Sequence, residues 1–336
     1  MKGLRYLPLL LVPLGFLGYR TVVAARQPSW NVVLISIDTL RADHLSAYGY
    51  RRPTSPEIDK LAARGILFEQ AQSNAPKTAP SHMTLLTGVL PDAHGVSNLE
   101  KEGNTALPAD IPTLASLLRA QGYQTAAVTA GGQIAAELGF DRGQNSFEQR
   151  DGPQAIFARA EERIQELSGT PTPFCMFVHT YAVHDPYIPP EPYASLWTDP
   201  SYRGRIVNGS AALLEAAGQD WTAQHDVYWQ RVDPQSAADV AELEARYDGS
   251  IRLVDELVGH LLGRLQELGE LDRTVVVFVG DHGEEFREHG GFLHETVYQE
   301  LLHVPLVVAL PPGASDGDLA ELRGKRVSNV VSLVDV

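Results

Sequence analysis

Short apolar runs alternate with amphipathic stretches along most of the chain. Asn31-Val-Val-Leu-Ile-Ser-Ile37 is an unbroken run of strand length and predicts a buried strand. Phe174 to His179, Thr274 to Gly280 and Val304 to Leu310 repeat the pattern. Leu114 to Gln121 reads as a helix that leads into a strand over Tyr123 to Thr129. Ser55 to Gly65 reads as a helix with Ile58, Leu61 and Ala62 on one face and Gly65 as its stop. Val240, Leu243, Tyr247, Ile251, Val254, Val258, Leu261 and Leu265 recur every three or four residues, which predicts one long amphipathic helix. Strands alternating with helices predict an α/β fold, its sheet mostly parallel and covered on both faces. Pro189 to Gln235, rich in Tyr, Trp, Pro and Gly, follows neither period and reads as an insertion or a lid over a site. The closing VSNVVSLVDV reads as a strand just begun, so the domain is expected to be truncated at its C-terminus.

The N-terminus changes the picture of where the domain works. Lys2 and Arg5 precede an apolar run from Tyr6 to about Tyr19, shorter than the about 20 residues of a membrane span. Pro8 and Pro13 weaken a long helix there, and Val23-Ala24-Ala25 reads as a candidate small-residue cleavage site. Residues 1–27 are read as a signal peptide or an N-terminal membrane anchor. Either exports residues 28–336, so an extracytoplasmic location, periplasmic or secreted, is expected. The 336 residues hold 27 basic and 42 acidic side chains, a net charge of −15. That argues against nucleic-acid binding, which needs a basic face, and leaves a small anionic substrate open. Cys175 is the only cysteine, so neither an intrachain disulfide nor a CxxC zinc motif can exist.

In an open parallel sheet, ligands gather beyond the carboxyl ends of the strands. Three predicted strands end in suitable residues: Ile37-Asp38-Thr39, then His179 with His184-Asp185-Pro186-Tyr187 after it, and Asp281-His282-Gly283. Carboxylate oxygen and imidazole nitrogen suit Mn²⁺, Mg²⁺ or Zn²⁺, and Asp38, Asp281 and His282 could supply them. A helix cap would explain Asp281 equally, but not His282 and His289 behind it. In APKTAPSHMTLLTG, Pro80 fits the first turn of a helix through Met83, Leu85 and Leu86, with Thr78 at its mouth. Two readings of Thr78 stay open. It is a capping residue, or it is a hydroxyl beside a metal at an anion-binding helix end, suited to nucleophilic attack.

The blocks NVVLISIDTLRADHLSAYGY, TAPSHMTLLTG, FVHTYAVHDPYIPP and VVVFVGDHGEEFREHG together resemble the sulfatase branch of the alkaline phosphatase superfamily, from about Asn31 to the last residue. The resemblance implies a three-layer α/β sandwich around a mostly parallel central sheet. In that family a Cys or Ser in C/S-x-P-S-R-x-x-x-x-T-G is oxidised to formylglycine. Here Thr78 stands at that position and His82 at the arginine's. Oxidised threonine would be a ketone, so the aldehyde hydrate that attacks sulfate esters is not expected. A threonine nucleophile is similar to those of nucleotide pyrophosphatases and phosphodiesterases, and of envelope phosphoethanolamine or phosphoglycerol transferases.

Carried over residue by residue, the resemblance implies Asp38, Thr78, Asp281 and His282 as ligands of a divalent ion: Mn, Zn, Mg or Ca. Thr39 stands where sulfatases often have a second Asp, which counts against a four-carboxylate calcium site. Thr78, His184 and His82 would be catalytic, and His179 and His294 would meet the substrate. Arg41 and Asp43 read as structural. His289 is left between a supporting role and a second metal. His44, His94, His225, His260 and His303 show no ligand spacing. The implied function is metal-dependent hydrolysis of phosphate, or sulfate, esters, small-molecule or envelope-derived, with Thr78 as covalent nucleophile. The alternatives are an envelope transferase, against which the single short apolar segment counts, and a ligand-binding member without turnover.

Overall fold

The computed structural model describes residues 30–98, 105–206, 221–311 and 321–336. The leader or anchor expected over residues 1–27 lies outside them. In chain order the elements are β1 (Asn31–Ile37), α1 (Pro56–Arg64), β2 (Ile66–Gln72), α2 (Thr78–Thr87), α3 (Leu114–Ala120), β3 (Gln124–Thr129), β4 (Ser146–Gln149), α4 (Pro153–Leu167), β5 (Phe174–Thr180), α5 (Trp221–Trp229) and α6 (Ala237–Glu267). Then come β6 (Thr274–Gly280), the small hairpin β7 (Glu285–Phe286) and β8 (Phe292–Leu293), β9 (His303–Ala309) and β10 (Lys325–Ser332). Eight strands form one sheet in the order β10-β2-β9-β6-β1-β5-β3-β4. Only β9 runs antiparallel to its neighbours.

The side-chain alternation of β1 builds both faces. Val33, Ile35 and Ile37 point into a core shared with α1, α4 and α6, while Leu34 joins Met83, Leu85 and Leu86 of α2 on the opposite face. The sheet is therefore the middle of three layers. The stripe expected on the long helix is all buried in the first core, apart from the half-buried Val240. Fully burying each such Leu, Ile or Val side chain stabilises the fold by about 1.5–3 kcal/mol. Among the described residues, no helix is long and apolar enough to cross a membrane.

Several elements escape the pattern, β2 and α4 among them. β2, ILFEQAQ, is only half buried, so its Glu69 and Gln70 break the apolar run. α4 buries Ile156, Phe157, Ala160, Ile164 and Leu167 at helical spacing, but charged residues between them mask the period. The closing segment forms a full strand, β10, paired in parallel with β2, and then a helical turn over Leu333–Asp335.

Candidate active site

Strand register brings the expected ligands together. Ile37 pairs with Gly280 and Ser36 with His179, so Asp38 emerges beside Asp281 on one side, with His179 on the other. Asp38, His179, Asp281 and His282 are fully buried. The Asp281 Oδ1 accepts the N–H of Thr39 at 3.1 Å and of His282 at 2.8 Å. To present its N–H, Thr39 takes a left-handed backbone with φ of 56°, a strained position for a β-branched residue. The Tyr247 hydroxyl of α6 holds this turn, donating to the Thr39 carbonyl at 2.7 Å and accepting the Arg41 N–H at 2.9 Å.

Both oxygens of Asp38, Oδ2 of Asp281, Nε2 of His282 and both ring nitrogens of His179 are buried without a hydrogen-bond partner. Such orphans are rare in folded proteins. The His282 Nδ1 lies 3.0 Å from the Gly283 carbonyl, which can only accept. Nδ1 therefore carries the proton, and Nε2 presents a lone pair. That lone pair lies 3.4 Å from Asp281 Oδ2 and 4.0 Å from Asp38 Oδ1. Ligand atoms about 2.1 Å from one ion at tetrahedral angles sit about 3.4 Å apart. Asp38, Asp281 and His282 thus fit a divalent cation, which would also offset the cost of burying two carboxylates side by side.

Protonation states agree. Burial alone would raise the Asp38 pKa, but His179, His282 and His184 outweigh it and hold the carboxyl well below the usual range. Burial pushes His179 and His282 down, favouring neutral imidazoles. His179, expected at the substrate, is packed with its Nε2 3.5 Å from Asp38 Oδ2, on the metal cluster's side.

Thr78 is not a helix cap. Lys77 is the N-cap residue of α2, and Thr78 is the first residue inside the helix, nearly buried. Among the described residues its hydroxyl has no hydrogen-bond partner, and neither does its N–H. The Ala79 N–H is taken by Asn98 Oδ1 at 3.2 Å, and Pro80 has none. The expected anion-binding helix end therefore reduces to one free N–H. One turn on, Ser81 Oγ donates to the Asp281 carbonyl at 2.7 Å and fixes α2 against the end of β6. The His82 Nδ1 lies 2.8 Å from the Thr78 carbonyl and 3.3 Å from Asp281 Oδ2, and its Nε2 lies 2.8 Å from Ser36 Oγ. Burial opposes its charge, but Asp281 and then Asp38 outweigh it and raise the pKa. With both nitrogens engaged, His82 positions the Thr78 backbone, and its ring also lies close enough to Asp38 and His179 for the three to share an ion.

On the open side, the His184 Nδ1 lies 2.8 Å from the Asp185 carbonyl and 3.1 Å from Asp185 Oδ1. The Asp185 Oδ2 accepts from Trp229 Nε1 of α5 at 2.9 Å and lies 3.4 Å from His225 Nε2. Burial disfavours the His184 cation, but Asp185, then Asp38 and Glu284, outweigh it and hold the pKa well above the usual value. The His294 Nδ1 lies 3.1 Å from Glu284 Oε1, and its ring centre is 5.2 Å from that of His184 and 4.7 Å from that of His282. His184 and His294 thus stand together, each held by a carboxylate.

The remaining assignments separate. Arg41 bonds both Asp43 oxygens, the Glu284 carbonyl and Glu288, tying down the loop after β6. His289 stacks on Tyr298 and faces Glu300 at 3.2 Å, and among the described residues it makes no contact with Asp38, Asp281 or His282. His260 is exposed. His44 forms a buried pair with Asp248 at 2.7 Å. His225 has a partner at the site despite its uninformative spacing. Ser36, Asp185, Glu284 and Tyr247 were missed as supports. Ser36 and Glu284 left a trace, as polar residues within or beside an apolar strand.

Comparison with known proteins gives the family. A family model described as Sulfatase matches residues 30–336. N-acetylglucosamine-6-O-sulfatase of Bacteroides thetaiotaomicron is 24% identical over 97% of this chain and 71% of its own length. Iduronate 2-sulfatase of Homo sapiens is 23% identical over 92% of this chain and 65% of its own length. The crystal structure of the phosphonate monoester hydrolase of Agrobacterium radiobacter shares the fold, with a TM-score of 0.67, 22% identity, and coverage of 91% of this chain and 72% of that one. The chain thus spans about two thirds of these relatives' lengths. With the family model matching nearly all of the described structure, the chain belongs to the sulfatase family of ester hydrolases.

Proposed function

We propose that this protein is an exported, metal-dependent hydrolase of phosphate esters, with Thr78 as its covalent nucleophile. One observation carries the reading. The unpartnered donors of Asp38, Asp281 and His282 converge where Ser81 pins the first turn of α2, the turn that begins with the unbonded Thr78 hydroxyl. The mixed oxygen and nitrogen set favours Zn²⁺ or Mn²⁺ over Ca²⁺, which takes about six to eight oxygen ligands. A cation bound there would supply Lewis acidity, lowering the pKa of a nearby hydroxyl and neutralising a substrate oxygen.

The chain's own residues do the rest. His82 and Ser81 hold the first turn of α2, so that Thr78 Oγ1 forms a bond to phosphorus as the ester oxygen leaves. His184, kept protonated by Asp185, donates its Nε2 proton to the leaving oxygen. The Thr78 proton, lost to water, restores His184. Water then cleaves the Thr78 ester and returns the hydroxyl. His294 offers a second hydrogen bond beside His184. Threonine at the formylglycine position favours phosphate over sulfate. Cys175 offers no substitute, since it is buried in β5 with its thiol pushed up to about 12 by burial. Two phosphonate monoester hydrolases share this fold, which fits phosphorus chemistry on the same scaffold.

The test is Thr78→Ala in the Zn²⁺- or Mn²⁺-loaded protein, with turnover of nitrophenyl phosphate mono- and diesters and metal content measured on the same samples. Turnover should fall to background while bound metal stays unchanged. Undiminished turnover would remove Thr78 from the chemistry.

A further inference from the structure

A cleft of about 730 Å³ opens directly from the proposed acid, with His184, Asp185 and Tyr181 forming one end of its lining. Its remaining walls are mostly apolar: Pro153, Ala182, Pro186, Ile188, Pro190 and Trp221. Trp221 is 50% exposed and its ring centre lies 6.3 Å from that of His184. A large ring half open to solvent beside the acid is a platform for a flat group.

The charges of the cleft point the same way. Two cations line it among the described residues, and each is already engaged: His184 with Asp185, and Arg246, whose Nε is bonded to Glu242 Oε1 at 2.8 Å. The Asp185 carboxylate faces His184 at 3.1 Å. Glu191 adds a negative charge at the wall. A second anionic group on the substrate would therefore enter a largely apolar cleft whose two cations are already engaged, on a protein of net charge −15.

We infer that this cleft binds the alcohol portion of the ester, and that this portion is uncharged and carries a flat or apolar group stacked on Trp221. The inference rests on the hydrolase reading above. It separates this chain from enzymes that remove one anionic ester from a polyanionic chain, because the single anion it accepts is the ester that reacts.

Two phosphate esters of similar reactivity test it on the metal-loaded protein, one with a nitrophenyl and one with a carboxy-nitrophenyl leaving group. The neutral leaving group should be favoured in kcat/KM by on the order of 10²-fold, from like-charge repulsion and desolvation. Trp221→Ala should raise KM for the neutral ester about tenfold with little change in kcat, because it removes binding common to ground and transition states. Gln154→Arg, an exposed residue of the cleft wall, should narrow the preference without altering turnover of the neutral ester. Equal or faster turnover of the carboxylated ester, or an unchanged KM in Trp221→Ala, overturns the inference. If neither ester turns over, the hydrolase reading fails, and direct calorimetric binding to the metal-loaded protein decides the cleft. The neutral ester must then bind more tightly and lose that advantage in Trp221→Ala, otherwise the inference fails too.

Discussion

Asp185→Asn isolates the charge that keeps His184 protonated. Asp185 is 4% exposed, with one oxygen 3.1 Å from His184 Nδ1 and the other accepting from Trp229 at 2.9 Å. The amide preserves the shape and can still accept from Trp229. It removes the negative charge that opposes the burial of His184. A hydrogen bond to a charged group contributes about 1.5–3 kcal/mol, and about 1.4 kcal/mol equals one pH unit of titration. The alkaline limb of kcat against pH should therefore move to lower pH by at least about one unit. At a pH where the variant's His184 is neutral, kcat should fall by about 10²–10⁴, the contribution of a general acid.

Stability gives an independent readout. The folded pKa of His184 is raised, so its contribution is complete below the unfolded value of about 6.5 and is lost as pH rises through the folded value. The Asp185 pKa is lowered, because His184, Trp229 and His225 outweigh its burial, so its contribution is present above its unfolded value and is lost in acid. The stability difference between wild type and Asp185→Asn, from urea unfolding of metal-free protein, should peak between about pH 5 and 6.5 and shrink toward alkaline pH. Other groups face His184, namely Asp38, Glu284 and His294, and they are unchanged in the variant. An unmoved alkaline limb together with a pH-independent stability difference would refute the pairing of Asp185 with a cationic His184.

Two further outcomes follow from the metal cluster and its support. Asp281→Asn keeps the Oδ1 acceptor for the Thr39 and His282 N–H groups but loses the ligand charge, so Zn²⁺ affinity measured by competition with a chelator should fall at least about 100-fold. Unchanged Zn²⁺ affinity in this variant would mean that Asp281 is not a ligand. Tyr247→Phe strips partners from the Thr39 carbonyl and the Arg41 N–H, and should cost about 1–3 kcal/mol in urea unfolding while weakening Zn²⁺ binding. A loss confined to stability, with Zn²⁺ affinity intact, would show that the strained Thr39 turn is held without α6.

The sheet's centre was legible because β1, β5 and β6 are buried on both faces and so read as unbroken apolar runs. The clustering of Asp38, Asp281 and His282 was legible for a related reason: these residues follow those strands directly, and adjacent parallel strands in register bring their carboxyl ends together. Thr78 was placed at the mouth of the right helix, but whether it caps that helix or begins it stayed open, since an N-cap and a first-turn residue differ by one residue and no local signal separates them. Trp229 and Tyr247 reach the site from α5 and α6, far away in sequence. Their roles depend on where those helices dock, which periodicity along either helix cannot state. Asp185 stood in the motif but was hidden behind its histidine, because a supporting carboxylate is defined by which nitrogen it faces.

The central claim, a covalent Thr78 ester formed beside a bound cation, is tested most directly by trapping it. Metal-loaded protein would be mixed with nitrophenyl phosphate, quenched in acid within one turnover, digested and analysed by tandem mass spectrometry. The account expects the mass of one phosphoryl group on the peptide containing Thr78, fragmenting to that residue, and absent from Thr78→Ala. Turnover with a nitrophenolate burst but with the phosphoryl group on another residue, or turnover with no covalent species at any quench time, would contradict it.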